Sequence, residues 1–134
     1  MMRDILFRGK RVDNCEWTEG YFFKSWDKVF LLWGMTGDSP NMEEVIPKTV
    51  GQYTGFKDDR DVKIFEGDIV EVRYDDGTAY TTEVRAYGNT LCVDIEGEDY
   101  DFTAIDFAVE QWREEDCCEL KVLSNIYDNK EEEE

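Results

Sequence analysis

The sequence of 134 residues contains no histidine. This absence removes the side chain that most often serves as a general base or a metal ligand near neutral pH. Its four cysteines, Cys15, Cys92, Cys117 and Cys118, form no C-x-x-C pair, and no G-x-S-x-G, phosphate-binding or dinucleotide-binding motif occurs. We therefore nominate no catalytic, cofactor-binding or metal-binding residue, and we expect a protein that is not an enzyme.

Basic residues are also scarce, because 15 Lys and Arg stand against 33 Asp and Glu, for a net charge of −18. Residues 1–50 carry 7 basic and 8 acidic side chains, a net charge of −1, whereas residues 51–134 carry 8 and 25, a net charge of −17. Such a field repels phosphate backbones and anionic lipids, so direct nucleic-acid binding and membrane-surface binding are disfavoured. An acidic protein can still bind a basic host protein.

Long apolar runs are missing as well. The N-terminus MMRDILFRGK lacks the apolar core of a signal peptide, and no segment approaches the length of a membrane helix. A disulfide between the adjacent Cys117 and Cys118 would be strained, so free thiols are the simplest account of the cysteines. We expect a soluble protein in the reducing cytoplasm of a bacterial host.

Aromatic residues are plentiful in the first third of the chain, within segments of strand length. Ile5–Arg8 predicts a short strand, and Gly9 with the polar run to Cys15 predicts a turn after it. Trp17–Phe23 and Lys28–Trp33 predict a β-hairpin. Gly34–Glu44 is rich in turn-forming residues and predicts a loop.

The aromatic side chains of this region allow two interpretations. They could form a stacking platform for a carbohydrate or a base, but aromatic residues at strand spacing more often fill a core. We therefore predict that they are buried, namely Trp17, Tyr21, Phe23, Phe30 and Trp33.

The segment Gly51–Tyr74 carries the densest combination of turn and strand signals. Its charged loop, residues 57–61, is expected to face water. Gly67 is expected to form a tight corner, and Asp68 to cap the free amides of that turn.

Periodicity predicts the rest of the chain. Asp76 and Gly77 form a strong hairpin signal, which predicts an antiparallel meander of strands 69–74, 78–87 and 91–95, with a second turn at Gly88 and Asn89. Helical spacing predicts a short helix near residues 104–114 with Thr103 and Asp106 as a capping pair, and a closing strand follows at residues 119–127.

Acidic residues crowd the stretch from Asp94 to Glu119, where eleven accompany the single base Arg113. Paired carboxylates could hydrolyse a glycoside or hold Mg²⁺ or Ca²⁺. The nearest approach to a calcium loop, at residues 58–61, lacks the required glycine and distal glutamate. A solvated acidic surface is the favoured interpretation.

Three segments resemble the YopX family of phage and prophage proteins. They are Phe7–Lys10 with Trp17–Tyr21, Thr49–Asp58 with Ile64–Val70, and Val122–Asn129. The resemblance implies a compact, mainly β fold encoded by mobile elements. It carries no functional residue, because the family has no established activity.

Two positions depart from the family pattern. Asp59–Val62 stands where the family usually has an asparagine-glycine turn, and Ser124 replaces a customary glycine. The first departure is expected to lengthen or loosen its loop, and the second removes the need for a glycine-only backbone conformation.

The sequence therefore predicts a mainly β, α+β protein. Residues 1–50 form an N-terminal aromatic β-hairpin region, residues 51–128 form a small antiparallel barrel or curled sheet with the short helix, and the acidic tail 129–134 is disordered. The leading hypothesis is a non-catalytic phage accessory protein that acts through protein–protein contacts or self-association. The alternatives are an acidic decoy that imitates nucleic acid and a carboxylate- or metal-dependent hydrolase.

Overall fold

The computed structural model describes residues 5–87, 90–93, 103–114 and 117–128, without the side chains of Cys117 and Cys118. The chain divides into two compact units, Met1–Gly55 and Phe56–Glu134. Strands dominate the described residues, so the expected mainly β, α+β fold is confirmed. Within those residues, no helix has the length and hydrophobicity needed to cross a membrane.

The N-terminal unit is built on one antiparallel sheet. Its strands are β1 (Phe7–Lys10), β2 (Trp17–Ser25), β3 (Lys28–Thr36), β4 (Ser39–Val45) and β5 (Gly51–Lys57), the last of which continues past the unit boundary. Their spatial order is β4-β3-β2-β1-β5. A 3-10 turn at Pro47–Thr49 precedes β5, and the extended backbone of Ile46 (φ −73°, ψ 116°) agrees with its place before proline.

The predicted loop Gly34–Glu44 is wrong, because this segment is a second hairpin. β3 continues to Thr36 and β4 begins at Ser39, so the turn itself is short. Gly37 adopts a φ of 61° there, a conformation that glycine takes at little cost. Hydrogen bonds of 3.1 and 3.2 Å between the side chains of Thr36 and Asn41 join the two strands.

Gly9 lies inside β1, which begins and ends two residues later than the predicted strand. The predicted turn over Gly9–Cys15 is therefore present but begins only after Lys10, where the N–H of Cys15 donates to the carbonyl of Arg11 (2.9 Å). A Cβ atom at Gly9 would lie 3.0 Å from the Cβ of Val45. A Cβ at Gly20 would lie 2.5 Å from the carbonyl oxygen of Leu32. Both glycines therefore allow a close approach that a larger residue would obstruct.

The C-terminal unit holds the remaining elements: β6 (Lys63–Phe65), β7 (Asp68–Tyr74), β8 (Ala79–Glu83), β9 (Arg85–Tyr87), β10 (Thr90–Val93), β11 (Thr103–Ala104), α1 (Ile105–Glu114) and β12 (Cys117–Asn125). Two antiparallel three-stranded sheets, β12-β7-β8 and β11-β10-β9, are open. The described strands thus form no closed barrel, and they are consistent with the curled-sheet alternative.

The strand predicted at residues 78–87 is divided at Val84, and its halves join different sheets. The Val84 N–H donates to the carbonyl of Asp68 (2.9 Å), and the Val84 carbonyl accepts from the N–H of Gly67 (2.8 Å). Gly67 has a φ of 94°, in agreement with the predicted corner. These hydrogen bonds to the corner interrupt the strand, so the prediction of a continuous meander is wrong. The predicted turn at Gly88 and Asn89 lies outside the described residues.

The core of the C-terminal unit surrounds Trp112, whose indole N–H donates to the Tyr80 hydroxyl at 2.7 Å. The predicted helix near 104–114 is confirmed as α1, and its periodic apolar side is buried. The buried cluster comprises Ile64, Val70, Val72, Val84, Val93, Ile105, Ala108, Trp112 and Leu120. The predicted closing strand is confirmed as β12, whereas the acidic tail 129–134 lies outside the described residues.

Candidate interaction surface

The strands β2, β3 and β4 have two different faces. One face packs into the N-terminal core, where Leu31 and Val45 are fully buried. Alternation along a strand places every second residue on the opposite face. The register aligns Tyr21 with Leu32, and Leu32 with Met42, so these three side chains form a row on the face away from that core.

This second face is largely apolar and largely exposed, and we call it the aromatic face. Its apolar members are Tyr21, Phe23, Phe30, Leu32, Met35 and Met42, and the register also places Lys28 and Glu44 on it. Tyr21 is 61%, Phe23 50%, Met35 60% and Met42 41% exposed. The rings of Phe23 and Phe30 lie side by side, with centroids 6.3 Å apart. Since monomeric proteins rarely expose large contiguous apolar patches, the aromatic face is a candidate binding surface.

The prediction that these aromatic residues are buried is wrong for Tyr21, Phe23 and Trp33, each of which is at least half exposed. Trp17 and Phe30 are half-buried, and the Arg8 guanidinium carbon lies 4.6 Å from the Trp17 ring centroid. Alternation identifies the residues that share a face, but it does not identify the face that packs. In β3 both faces carry apolar residues. This pattern in the sequence indicates that one apolar face could remain exposed.

The turn between β2 and β3 carries another exposed aromatic residue, outside the aromatic face. Trp26 is 94% exposed, and its φ of 56° is uncommon for any residue except glycine, asparagine and aspartate. A bulky side chain in this conformation costs roughly 1 kcal/mol or more. Because an exposed indole contributes little to the fold, this turn is a second candidate contact point.

The charged loop of the central segment has a structural role. The Asp58 carboxylate accepts backbone hydrogen bonds from Arg60 (2.8 Å), Val62 (2.9 Å) and Val122 (2.9 Å). Asp58 is buried, so the prediction that the whole loop faces water is wrong at this position. These bonds fold the loop on itself and attach it to β12. They explain the presence of the aspartate, and no ligand is needed to explain it.

Asp59 fastens the same loop a second time. Its carboxylate accepts a hydrogen bond from the Leu120 N–H (2.8 Å) and forms an ion pair with Arg113 of α1. The Arg113 guanidinium, and after it the Leu120 N–H, hold the pKa of Asp59 below its ordinary value. This half-exposed pair connects β12, α1 and the loop, so its function is structural.

Two further residues of the family-like segments are also caps. Asp68 is buried, and its carboxylate accepts from the N–H of Phe65 (2.7 Å), in agreement with the predicted cap. The Asn125 side-chain oxygen accepts from the N–H groups of Tyr127 (3.0 Å) and Asp128 (2.9 Å) at the end of β12. The recurring polar residues of these segments therefore terminate strands.

The acidic stretch from 94 to 119 is described at four of its eleven acidic residues. Asp106, Glu110 and Glu114 are exposed on α1, and Glu119 is half-buried on β12. In the ranges that the structure describes, no three His, Cys, Asp or Glu side chains are grouped closely enough to hold a metal ion. On the outer side of α1, Phe107, Glu110, Gln111 and Glu114 line an open groove of about 460 Å³.

The cysteines occupy unrelated positions. Cys15 is exposed and Cys92 is buried, and both are free thiols. Burial raises the pKa of the Cys92 thiol, which keeps it protonated at neutral pH. The predicted free thiols of Cys117 and Cys118 lie outside the described side chains.

Comparison with known proteins gives a family and one related fold. Residues 6–132 match the family described as YopX protein. The crystal structure of protein EF1440 from Enterococcus faecalis resembles this chain with a TM-score of 0.54 and 21% identity, over 99% of this chain and 100% of that one. At this level of identity the likeness concerns the fold alone. No curated protein matches the chain.

Proposed function

The chain belongs to the YopX family, and from this premise we propose that it is a phage accessory protein that acts in the host cytoplasm without catalysis, through protein–protein contact. The observation that supports the proposal is the aromatic face of the N-terminal sheet. Protein interfaces are enriched in Tyr, Trp, Phe and Met relative to the rest of the surface. The face offers Tyr, Phe and Met side chains on paired strands, which hold them in place before a partner binds.

The distribution of charge favours contact through the same unit. Residues 1–50 carry a net charge of −1, whereas residues 51–134 carry −17. A partner that approaches the aromatic face therefore meets little net charge from residues 1–50. The surface suits an apolar patch on a protein, including another copy of this chain.

The proposal is tested with the double variant Tyr21→Ser/Met42→Ser and the control Leu123→Ser, which changes an exposed apolar residue of the other unit. Native mass spectrometry of the purified chain is combined with affinity capture from phage-infected host cells. We expect the wild type and the control to retain a partner protein that the double variant loses. A wild type that captures the same proteins as the double variant would contradict the proposal.

A second candidate function rests on the net charge of −17 over residues 51–134. We propose as the alternative that this unit occupies a basic host protein by presenting carboxylates in place of phosphates. Binding would then weaken steeply with salt, because such attraction is screened. An affinity that stays constant between about 50 and about 500 mM salt would eliminate this alternative.

A further inference from the structure

The β2–β3 turn combines a strained backbone with a side chain that the fold does not use. Trp26 is almost fully exposed, and it occupies a φ region that glycine or asparagine would enter more easily. Backbone strain of this kind is found preferentially at functional sites. The indole is therefore best explained by a contact outside its own chain.

Two lysines flank this indole and define what it can contact. Lys24 precedes the turn and Lys28 follows it, and both are exposed. Within the part of the chain that the structure describes, neither forms an ion pair. The register aligns Lys24 with Val29 and Ser25 with Lys28, so the two ammonium groups lie on opposite sides of the hairpin. The turn thus carries an aromatic ring between two positive charges, against the single negative charge of Asp27. Its complement is an acidic surface that contains an exposed aromatic ring, since ammonium groups attract both carboxylates and ring faces.

The groove on α1 has this composition. Phe107 is 61% exposed at one side of the helix. Glu110 and Glu114 follow it at helical spacings of three and seven residues, so all three side chains lie along one strip. Over the described ranges neither glutamate forms an ion pair. The strip offers one aromatic ring and two negative charges to an incoming side chain.

We propose that the protein self-associates head to tail, with the Trp26 turn of one copy seated in the α1 groove of a second copy. The inference rests on the proposed function, because it names a second copy as a partner. Charge complementarity favours that partner, since a turn with a net charge of +1 meets a strip with a net charge of −2. The remaining negative charge of each copy is screened beyond about 8 Å at physiological ionic strength.

The proposed contact joins two different surfaces, which fixes the kind of assembly. A contact between unlike surfaces leaves a free turn at one end and a free groove at the other. Successive copies therefore add until the assembly closes into a ring, or they continue as a filament. If a single surface instead paired with its own copy, assembly would stop at a dimer. The head-to-tail contact and this self-paired contact therefore give different results when variants are mixed.

Sedimentation velocity of the full chain over a range of concentrations tests each surface separately. We expect Trp26→Ser to weaken self-association about 30-fold or more, since buried tryptophans are frequent interface hot spots. Glu110→Lys/Glu114→Lys is expected to weaken it as strongly. The control Trp33→Ser, an exposed tryptophan of the same sheet, is expected to leave it unchanged. Unaltered association of both test variants would overturn the inference.

Mixing the two defective variants tests the head-to-tail arrangement itself. The Trp26→Ser chain retains an intact groove, and the Glu110→Lys/Glu114→Lys chain retains an intact turn. We expect their mixture to form a one-to-one pair and nothing larger, although each variant alone is a monomer. Two monomers that remain separate in the mixture would contradict the arrangement.

The outcome for the aromatic face separates this inference from the proposed function. If Tyr21→Ser/Met42→Ser abolishes association while the turn and groove variants associate normally, the head-to-tail contact is wrong and the proposed function stands. If the wild type stays monomeric up to about 100 μM, the inference is also wrong. The capture experiment with the aromatic-face variant then decides the proposed function independently.

Discussion

The two units of this chain use their apolar residues in opposite ways. The C-terminal unit buries a nine-residue cluster around Trp112, and exposes mainly charged side chains on α1. The N-terminal unit buries a cluster of three residues and leaves the aromatic face exposed. The larger buried cluster gives the C-terminal unit the larger share of core stability, whereas the N-terminal unit carries the exposed apolar surface that we propose for contact.

The segment Gly51–Tyr74, which has the densest turn and strand signals, contributes to stability. Asp58, Asp59 and Asp68 are acidic, lie between glycines and could suggest a catalytic loop. Their carboxylates instead accept backbone hydrogen bonds from β12, the loop itself and Phe65. An acidic residue in a glycine-flanked loop therefore indicates a site only after its backbone hydrogen-bond partners have been identified.

The largest difference between the units is expected from one matched pair of substitutions. Trp112→Ala removes a fully buried indole and should lower the free energy of unfolding by about 3–5 kcal/mol. Trp33→Ala removes an indole that is half exposed, and should change it by less than about 1 kcal/mol. Urea denaturation followed by circular dichroism measures both. Equal losses would break the comparison.

Asp58 tests whether the charged loop is structural. Asp58→Ala leaves three backbone N–H groups without their acceptor and is expected to cost about 2–4 kcal/mol of unfolding free energy. The control Glu110→Ala removes an exposed carboxylate of the same unit, and should stay within about 0.5 kcal/mol. Denaturation midpoints give the result. If the Asp58→Ala chain is as stable as the control, the structural role is contradicted and the loop is again a candidate functional site.

Gly20 tests the packing of the N-terminal sheet. Gly20→Ala places a methyl group against the carbonyl of Leu32 and is expected to cost about 1–3 kcal/mol. At Gly34 the nearest atom to an added Cβ is 3.7 Å away, in the Asn41 side chain, so Gly34→Ala should be nearly neutral. Thermal unfolding of the two variants compares them. A larger loss of thermal stability for Gly34→Ala than for Gly20→Ala would contradict the close approach of the strands at Gly20.

The smallest expected effect is the pH dependence from Asp59. Its pKa lies below the ordinary value in the folded chain, so the ionised carboxylate stabilises the fold above the unfolded pKa. This stability is lost as the pH falls through the ordinary aspartate pKa of about 3.9 and then through the lower pKa of the folded chain. Because the pair with Arg113 is partly exposed, we expect less than about 1 kcal/mol. Asp59→Asn should flatten the stability profile in that range, and an unchanged profile would contradict the assignment.

Local patterns predicted the elements whose signals are self-contained. The helix at Ile105–Glu114 followed from apolar residues at helical spacing, and the turn at Gly77 followed from the Asp-Gly pair. The Asp68 cap was also predictable, because aspartate after glycine at a corner has few other partners.

The failures have a common physical cause, which is contact between distant parts of the chain. Turn-forming composition could not reveal that residues 34–44 pair as strands, because the bulged register is set across the sheet. The break at Val84 depends on hydrogen bonds to Gly67 and Asp68. The exposure of Tyr21 depends on which face packs. Each outcome is decided by tertiary structure that a local pattern does not contain.

The central claim is that contact occurs through the N-terminal sheet. Hydroxyl-radical footprinting reports it directly, because aromatic and methionine side chains react readily when they are exposed. The free protein is compared with the form bound to the partner that affinity capture retains. We predict that Tyr21, Phe23, Met35 and Met42 become protected, and protection confined to the C-terminal unit would contradict the account.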